Sequence, residues 1–237
     1  MRKHTIPAIV CAFLGLYPLL AKAQCQDGYY LLTEGAQFEM SNYDHKERYQ
    51  GKALNKVLKR EKQGNEEKVV FQSNLFDKAN KSIGEGEFDI VCEGSSIRMN
   101  VKNLLPREML SQYENMDVEI ESDDLFIPHS LQIGQDLPPA SSRIKVTMGP
   151  GVVSTITVDI KGRKVERQEE VTTVAGTFST YKVAEQMEVS TDMMGMKHTF
   201  TTKSETWYAK GIGAVKTITY DKKGAVSSTS LLTGLKK

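Results

Sequence analysis

The chain has 237 residues, of which 26% are charged and 39% hydrophobic, with a formal net charge of +1 at pH 7. A balance this close to neutral gives no strong positive field, so the composition argues against a nucleic-acid partner. The length is sufficient for one domain, or two small ones, with a buried hydrophobic core.

The first 23 residues have the layout of a secretory signal peptide. Arg2 and Lys3 form a cationic head, an apolar run covers Ile6 to Leu20, and Ala21-Lys22-Ala23 supplies small residues for cleavage. The apolar run is shorter than the roughly 20 residues that a comfortable membrane span needs. We therefore predict cleavage after Ala23, a periplasmic or secreted location, and no transmembrane segment in the mature chain.

Cleavage would leave residues 24–237, which we expect to form a single β-rich domain. Loss of Arg2, Lys3 and Lys22 reduces the 31 basic residues to 28 against 30 acidic ones, so the mature net charge is about −2. The segment 126–143 contains Pro128, Pro138 and Pro139 and therefore reads as a connector, the one place where the domain could be subdivided.

Two cysteines, Cys25 and Cys92, remain in the mature chain, because Cys11 leaves with the signal peptide. In an oxidising compartment two cysteines most simply form one disulfide, and we predict that they do. The alternative is two unpaired thiols, since a sequence does not show that two residues are close in space.

The first half of the mature chain has the pattern of a β-meander, with Gly, Asn and Asp interrupting short strand-like runs. A short helix is predicted after it, from Pro106 to about Asn115, because proline favours the first helical turn and apolar residues follow on one side. The predicted strands of this half are Gln37 to Tyr43, Ala53 to Lys62, Lys68 to Leu75, Glu87 to Cys92 and Ile97 to Val101.

The second half is richer in strands. Ile144 to Met148 and Val152 to Ile160 flank a Gly149-Pro150-Gly151 turn, and Lys161-Gly162-Arg163 is predicted to turn the chain again. From there to Leu232, three long runs alternate with a period of two, which is typical of half-buried antiparallel strands. On the second run Tyr181, Val183, Met187 and Val189 are expected on one face, and Lys182, Gln186 and Glu188 on the other.

These elements together predict a mainly β fold. Antiparallel meanders would form a curved or half-barrel-like sheet, or two packed sheets, with one short helix.

Aromatic residues of the last strands are the candidate ligand platform. Trp207 and Tyr208 are adjacent in sequence and so point to opposite faces of their strand. The candidates are Tyr181, Trp207, Tyr208 and Tyr220. The alternative is that these rings are simply packed in the core, as aromatic strand residues more often are.

A methionine-rich turn offers the sharpest candidate metal site. Thioether sulfurs beside an imidazole suit Cu(I), which makes Met194, Met196 and His198 candidate ligands. The favoured interpretation is a glycine-centred hairpin tip whose flexible apolar side chains contact a partner or lipid. We predict no cofactor.

No catalytic motif is present in the sequence: it has no G-x-S-x-G elbow, no H-E-x-x-H and no phosphate-binding glycine loop. His45, His129 and His198 each fall in a predicted turn or connector and are interpreted as solvated loop residues. We therefore name no catalytic residue. A site assembled in space from distant residues stays open, because triads are defined by geometry.

Several segments resemble the TapB family of exported bacterial proteins. The most specific are Ala175-Gly176-Thr177-Phe178 followed by Tyr181-Lys182, and Trp207-Tyr208 followed by Gly211-Ile212-Gly213. Val174 and Pro139 depart from the expected pattern, at two loop positions. The resemblance implies a folded, exported β-domain of unassigned chemistry, and it carries over no catalytic residue.

Three functional hypotheses follow. The first is a non-catalytic exported domain that binds an apolar small molecule, a lipid or an envelope protein. The second is a structural or assembly component of the cell envelope that has no small-molecule ligand. The third is a hydrolase with a spatially assembled site.

Overall fold

A single antiparallel sheet of 13 strands makes up the computed structural model, which describes Cys25 and residues 28–101, 117–148 and 152–237. The strands are β1 Gln37–Asp44, β2 Tyr49–Gln63, β3 Glu66–Asp77, β4 Ser82–Glu93, β5 Ser96–Asn100, β6 Asp117–Ser122, β7 Asp124–Pro128, β8 Ala140–Met148, β9 Val152–Thr173, β10 Gly176–Met193, β11 Met196–Ala209, β12 Gly213–Tyr220 and β13 Val226–Lys236. Their order in the sheet is β6-β8-β9-β10-β11-β12-β13-β1-β2-β3-β4-β5-β7, so most strands lie beside their neighbours in the chain.

The two edge strands, β6 and β7, bring the sheet close to a closed, barrel-like shape. They are consecutive in the chain, and Asp123 between them bonds to both sides. Its N–H donates to the Ser141 carbonyl at 2.8 Å, and its own carbonyl accepts from the Val101 N–H at 3.3 Å. One curved sheet therefore forms, and the alternative of two packed sheets is not adopted.

The long-range pairing of β1 with β13 joins the two ends of the chain. All eight residues of β1 pair with β13, from Gln37 opposite Lys236 to Asp44 opposite Ser228. Because β1 also pairs with β2, this contact connects the first meander to the last three strands. This pairing places β1 beside β13 and, through it, beside β12.

The N-terminal segment 28–36 fills the inside of the curve. Leu31 and Leu32 belong to one hydrophobic cluster with residues of β3, β4, β8 and β9, which lie on different sides of the sheet. The segment is fixed at one end by the Gly28 carbonyl, which accepts from the Gly211 N–H at 2.7 Å. At its other end the Ala36 carbonyl accepts from the Val57 N–H at 2.9 Å.

A buried arginine attaches the connector to β9. The Arg163 side chain is 1% exposed, and its Nε lies 3.3 Å from a carboxylate oxygen of Glu185 on β10. Its Nη1 donates to the backbone carbonyls of Phe126 and Pro138, at 3.0 and 2.9 Å. A buried charge is tolerable only with such partners, so Arg163 holds both ends of the segment between β7 and β8 against the sheet.

The predicted turn at Lys161-Gly162-Arg163 is wrong, because β9 continues through it from Val152 to Thr173. Gly162 has a φ of 62°, and the pairing of β9 with β10 shifts register nearby, between Lys182 and Val183 and again between Ala184 and Gln186. Bulges of this kind absorb a left-handed residue without ending the strand.

The alternation predicted for Tyr181 to Val189 is confirmed in β10. Tyr181 and Val183 pack in one interior hydrophobic cluster, and Met187 and Val189 pack against a second interior cluster. Other predicted strands are present with longer bounds: β2 begins at Tyr49 and β4 at Ser82.

Three sequence predictions lie outside the described residues: the signal peptide 1–23, the helix 106–115 and the turn 149–151. Within the described ranges, the chain has no helix of the length and apolarity that crossing a membrane requires.

Candidate binding groove

A groove of about 640 Å³ lies over β1, β12 and β13, which is within the size range of small-molecule sites. It is lined by Tyr43, Asp44, His45, Glu47, Lys216, Ile218, Val226, Thr229 and Leu231.

Strand register explains why these side chains share one face. Lys216 is the Cα partner of Leu231, and Ile218 is the partner of Thr229. Thr229 is in turn the partner of Tyr43 on β1. Directly paired residues point to the same side of a sheet, so the pairs lie one after the other along the strands. The groove thus runs parallel to the strands.

The floor of the groove is apolar and accessible. Ile218, Leu231 and Tyr43 are half-buried, and Val226 is 40% exposed. The Tyr43 ring is held edge-on by Tyr49, with their centroids 6.0 Å apart. An apolar strip within a groove marks a binding site more specifically than scattered surface hydrophobics do.

The rim at one end is the turn between β1 and β2, which Asp44 holds rigidly. Its Oδ1 accepts from the backbone N–H groups of Lys46 and Arg48, at 2.8 and 3.0 Å. The Arg48 guanidinium, 2.6 Å from Oδ2, holds the pKa of Asp44 well below its usual range. The negative charge of Asp44 is therefore neutralised within the turn.

At the other end, Lys216 lies over the Trp207 ring, with Nζ 4.8 Å from the ring centroid. Trp207 is only 4% exposed, and its indole Nε1 donates to Glu169 at 2.6 Å. The ring therefore forms a fixed base below Lys216.

An ion-pair network continues from Trp207 on the same face. Lys182 is the Cα partner of Trp207, is buried, and has Glu166 and Glu205 at 2.6 and 2.5 Å. Burial alone would raise the pKa of Glu205, but the hydrogen bonds from Lys182 and Tyr220 outweigh it and the pKa is lowered. Burial and the bond to Glu205 raise the pKa of Tyr220 to about 12. The charges of Lys182, Glu166 and Glu205 are therefore paired with one another, and the network supports the groove structurally.

The Trp207–Glu169 bond predicts a pH-dependent stability. The bond lowers the pKa of Glu169 below its ordinary 4.5, so its contribution is present above pH 4.5 and lost as the pH falls through the folded-state value. Since Glu169 is 35% exposed, we expect Glu169→Gln to cost only about 0.5–1 kcal/mol near neutral pH. Urea unfolding followed by the fluorescence of the single tryptophan should show the two proteins converging below about pH 4. A difference that grows in acid would contradict this.

The four candidate ligand residues do not form one platform. Tyr181 and Tyr208 are Cα partners on the interior face, where Tyr181 packs edge-on against Tyr29 at 6.1 Å. Burial raises the pKa of Tyr208 there. Trp207 and Tyr220 lie on the opposite face. Trp207 does not line the groove itself but contacts Lys216, which does. A role for all four in binding stays a prediction.

The methionine-rich turn is a hairpin tip between β10 and β11. Met194 and Gly195 occupy the turn with φ of 54° and 81°, as a two-residue hairpin turn requires. Met194 and Met196 are 74% and 59% exposed, and His198 is exposed on β11. Metal binding at this tip stays a prediction. Among the described residues, no group of three or more His, Cys, Asp or Glu side chains is placed to hold a metal ion.

The two cysteines are adjacent in space, with Cα atoms 5.8 Å apart, a separation compatible with a disulfide. Cys92 Sγ also lies 3.6 Å from His129 Nε2. His129 is 8% exposed, so its interpretation as a solvated loop residue is wrong. The fold places it against the cysteines because β7 pairs with β5, next to β4. His45, on the groove rim, and His198 are exposed.

Comparison with known proteins gives a family and a fold. A crystal structure of a proposed lipoprotein from Parabacteroides distasonis is similar at 23% identity, covering 88% of this chain and 98% of that one, with a TM-score of 0.68. A proposed exported protein with a YmcC-like fold from Bacteroides fragilis is similar at 20% identity and the same coverage, with a TM-score of 0.67. No curated protein matches. The DUF3108-like family profile matches residues 33–232, most of the chain, and the protein therefore belongs to the DUF3108-like family.

Proposed function

We propose that this protein is an exported, non-catalytic β-domain that binds an apolar ligand in the groove over β1, β12 and β13. The observation that carries the proposal is the accessible apolar floor formed by Ile218, Leu231 and Val226 inside a groove of about 640 Å³. Apolar lining with a few polar groups at the rim is the usual composition of small-molecule sites.

Export is supported by independent features. The first 23 residues have the pattern of a signal peptide, and a Cys25–Cys92 disulfide would suit an oxidising compartment. The two structural neighbours carry the descriptions lipoprotein and exported protein. Within the DUF3108-like family, the sequence motifs around Gly176 and Trp207 favour a closer relationship with the TapB family. We further propose that residues 24–237 form one domain, because a single sheet includes strands from both sides of the 126–143 connector.

A non-catalytic role is supported by the charged groups next to the groove. Lys182, Glu205 and Tyr220 are committed to one another, and Asp44 is committed to its own turn. A general acid or base needs a proton exchangeable with substrate at working pH, and paired groups of this kind are poorly suited to it.

A structural or assembly role is the second candidate. It is favoured by the exposed end of the β10–β11 hairpin, where Met194, Met196 and Phe200 are 74%, 59% and 60% exposed. Flexible apolar side chains of this kind are common at protein-binding surfaces.

Binding of the neutral apolar dye N-phenyl-1-naphthylamine to the mature protein tests the proposal. Ile218→Gln and Val226→Glu should each weaken dye binding about tenfold, because they place polar groups on the apolar floor. Ile83→Glu is the matched control: Ile83 is 56% exposed on β4, away from the groove, and its replacement should leave binding unchanged.

Mass spectrometry of an organic extract of the purified protein gives a second measurement. The wild type and the Ile83→Glu control should release an apolar compound that the groove variants lack. Equal dye binding by all four proteins, together with a clean extract, would overturn the proposal and leave the assembly role.

A further inference from the structure

We infer that the groove takes a single-chain amphiphile with one anionic end, and that Lys216 binds that end. This inference rests on the proposed function and names the class of ligand for the same site. It is carried by the order of the side chains along the groove and by the state of each charged group in it.

The two ends of the groove are lined by different kinds of residue. Lys216 and its partner Leu231 stand at the end next to Trp207, and Ile218, Thr229 and Tyr43 form the next row along the strands. Beyond that row come Val226 and the turn residues of the rim. From Lys216 to the end of β12 at Tyr220 the distance is about 13 Å. A cation thus stands at one end of an extended apolar strip.

Among the residues that line the groove, Lys216 is the only lysine or arginine, and its charge is available to a ligand. In the part of the chain that the structure describes, no carboxylate lies within ion-pairing distance of its Nζ, and its neighbour is the Trp207 ring. The carboxylate of Asp44 is already paired with Arg48. Glu47 is exposed in the turn at the far end, away from Lys216. An anion would therefore be attracted to the Trp207 end and not to the rim.

The surroundings of Lys216 strengthen such a contact. The side chain is half-buried, and the buried indole ring beneath it excludes water from one side. Charge pairing is stronger where solvent is partly excluded, and the cation–π contact holds the ammonium group in place without neutralising its charge.

Calorimetric titration of the mature protein with dodecanoate, dodecanol and acetate tests the inference. Wild type should bind dodecanoate about tenfold more tightly than dodecanol, because a hydrogen bond to a charged group is added to the same apolar contact. Acetate, which lacks the chain, should show no binding. The fluorescence of Trp207, the only tryptophan, should change on dodecanoate binding because the anionic end lies above its ring.

Lys216→Gln should reduce dodecanoate affinity about tenfold, to the level of dodecanol, and leave dodecanol binding unchanged. Unchanged dodecanol binding shows that the variant is folded. Lys216→Arg should retain the preference for dodecanoate. Lys81→Gln is the matched control, since it removes the same charge from the exposed turn between β3 and β4 and should change neither affinity.

The outcomes separate this inference from the proposed function. If wild type binds dodecanoate and dodecanol equally, or if Lys216→Gln keeps the preference for dodecanoate, the inference of an anionic ligand is wrong. Binding of apolar ligands in the groove would still be supported. If acetate binds as well as dodecanoate, the site is one for small anions and the inference is overturned. If no chain-bearing compound binds, the proposed function itself fails.

Discussion

Replacing Arg163 with methionine is expected to lower the free energy of unfolding by about 3–5 kcal/mol, since it removes one partner of a buried charged pair. The Arg163 side chain is 1% exposed and Glu185 is 19% exposed, so the remaining carboxylate would be left largely desolvated. The carbonyls of Phe126 and Pro138 would also lose their donor. The connector would then be less firmly attached to β9.

Urea unfolding measures this change, with Arg143→Met as the matched control. Arg143 is exposed on β8, and the same substitution there should change stability by less than about 0.5 kcal/mol. Adding Glu185→Leu to Arg163→Met should recover part of the loss, because no uncompensated carboxylate remains. Equal stability of the Arg163 and Arg143 variants would show that Arg163 does not hold the connector.

Arg163 also shows where the sequence is a poor guide. Its neighbours Lys161 and Gly162 give the local pattern of a solvated turn, and charged residues are rarely buried without a partner. The partners that make burial tolerable come from β10 and from backbone carbonyls on both sides of the connector. None of these is near Arg163 in the sequence, so periodicity could predict the strands but not this contact.

The alternating runs of the second half were the reliable signal. Period-two patterning depends only on which face of a strand is buried, and β10 shows it with Tyr181 and Val183 on one side and Lys182 on the other. The mainly β class and the curved sheet follow from such runs. The register shifts within β9–β10 do not, because a bulge changes the pairing without changing the composition.

The groove could not be predicted from the sequence, and the reason is topological. Trp207 and Tyr220 are recognisable in the sequence as aromatic residues, but the floor of the groove is formed by Ile218 on β12, Leu231 on β13 and Tyr43 on β1. Tyr43 joins the others only because β1 pairs with β13 across almost the whole length of the chain. Local patterns do not specify a pairing of that range, although the alternation of Lys216 and Ile218 could have suggested a shared face.

Removing the predicted disulfide, by replacing Cys25 and Cys92 with alanine, is expected to lower the free energy of unfolding by about 4 kcal/mol. The two residues are separated by 67 positions, and a cross-link over a loop of that size restricts the unfolded chain by about this amount. The effect concerns the N-terminal segment as well, since Cys25 lies just before Leu31 and Leu32 in the interior. Because Leu31 and Leu32 are also held in the interior cluster by hydrophobic packing, the variant should still fold.

Urea unfolding with and without reductant separates the contribution of the bond from that of the side chains. Reductant should destabilise the wild type by about 4 kcal/mol and leave the double-alanine variant unchanged. Alkylation of protein isolated without reductant should label neither cysteine. If reductant has no effect and both thiols are labelled, the cysteines are adjacent but unbonded, and the interior position of residues 28–36 depends on packing alone. A loss well above 4 kcal/mol would instead mean that the bond also holds the N-terminal segment inside the folded sheet, because restriction of the unfolded chain accounts for no more than that.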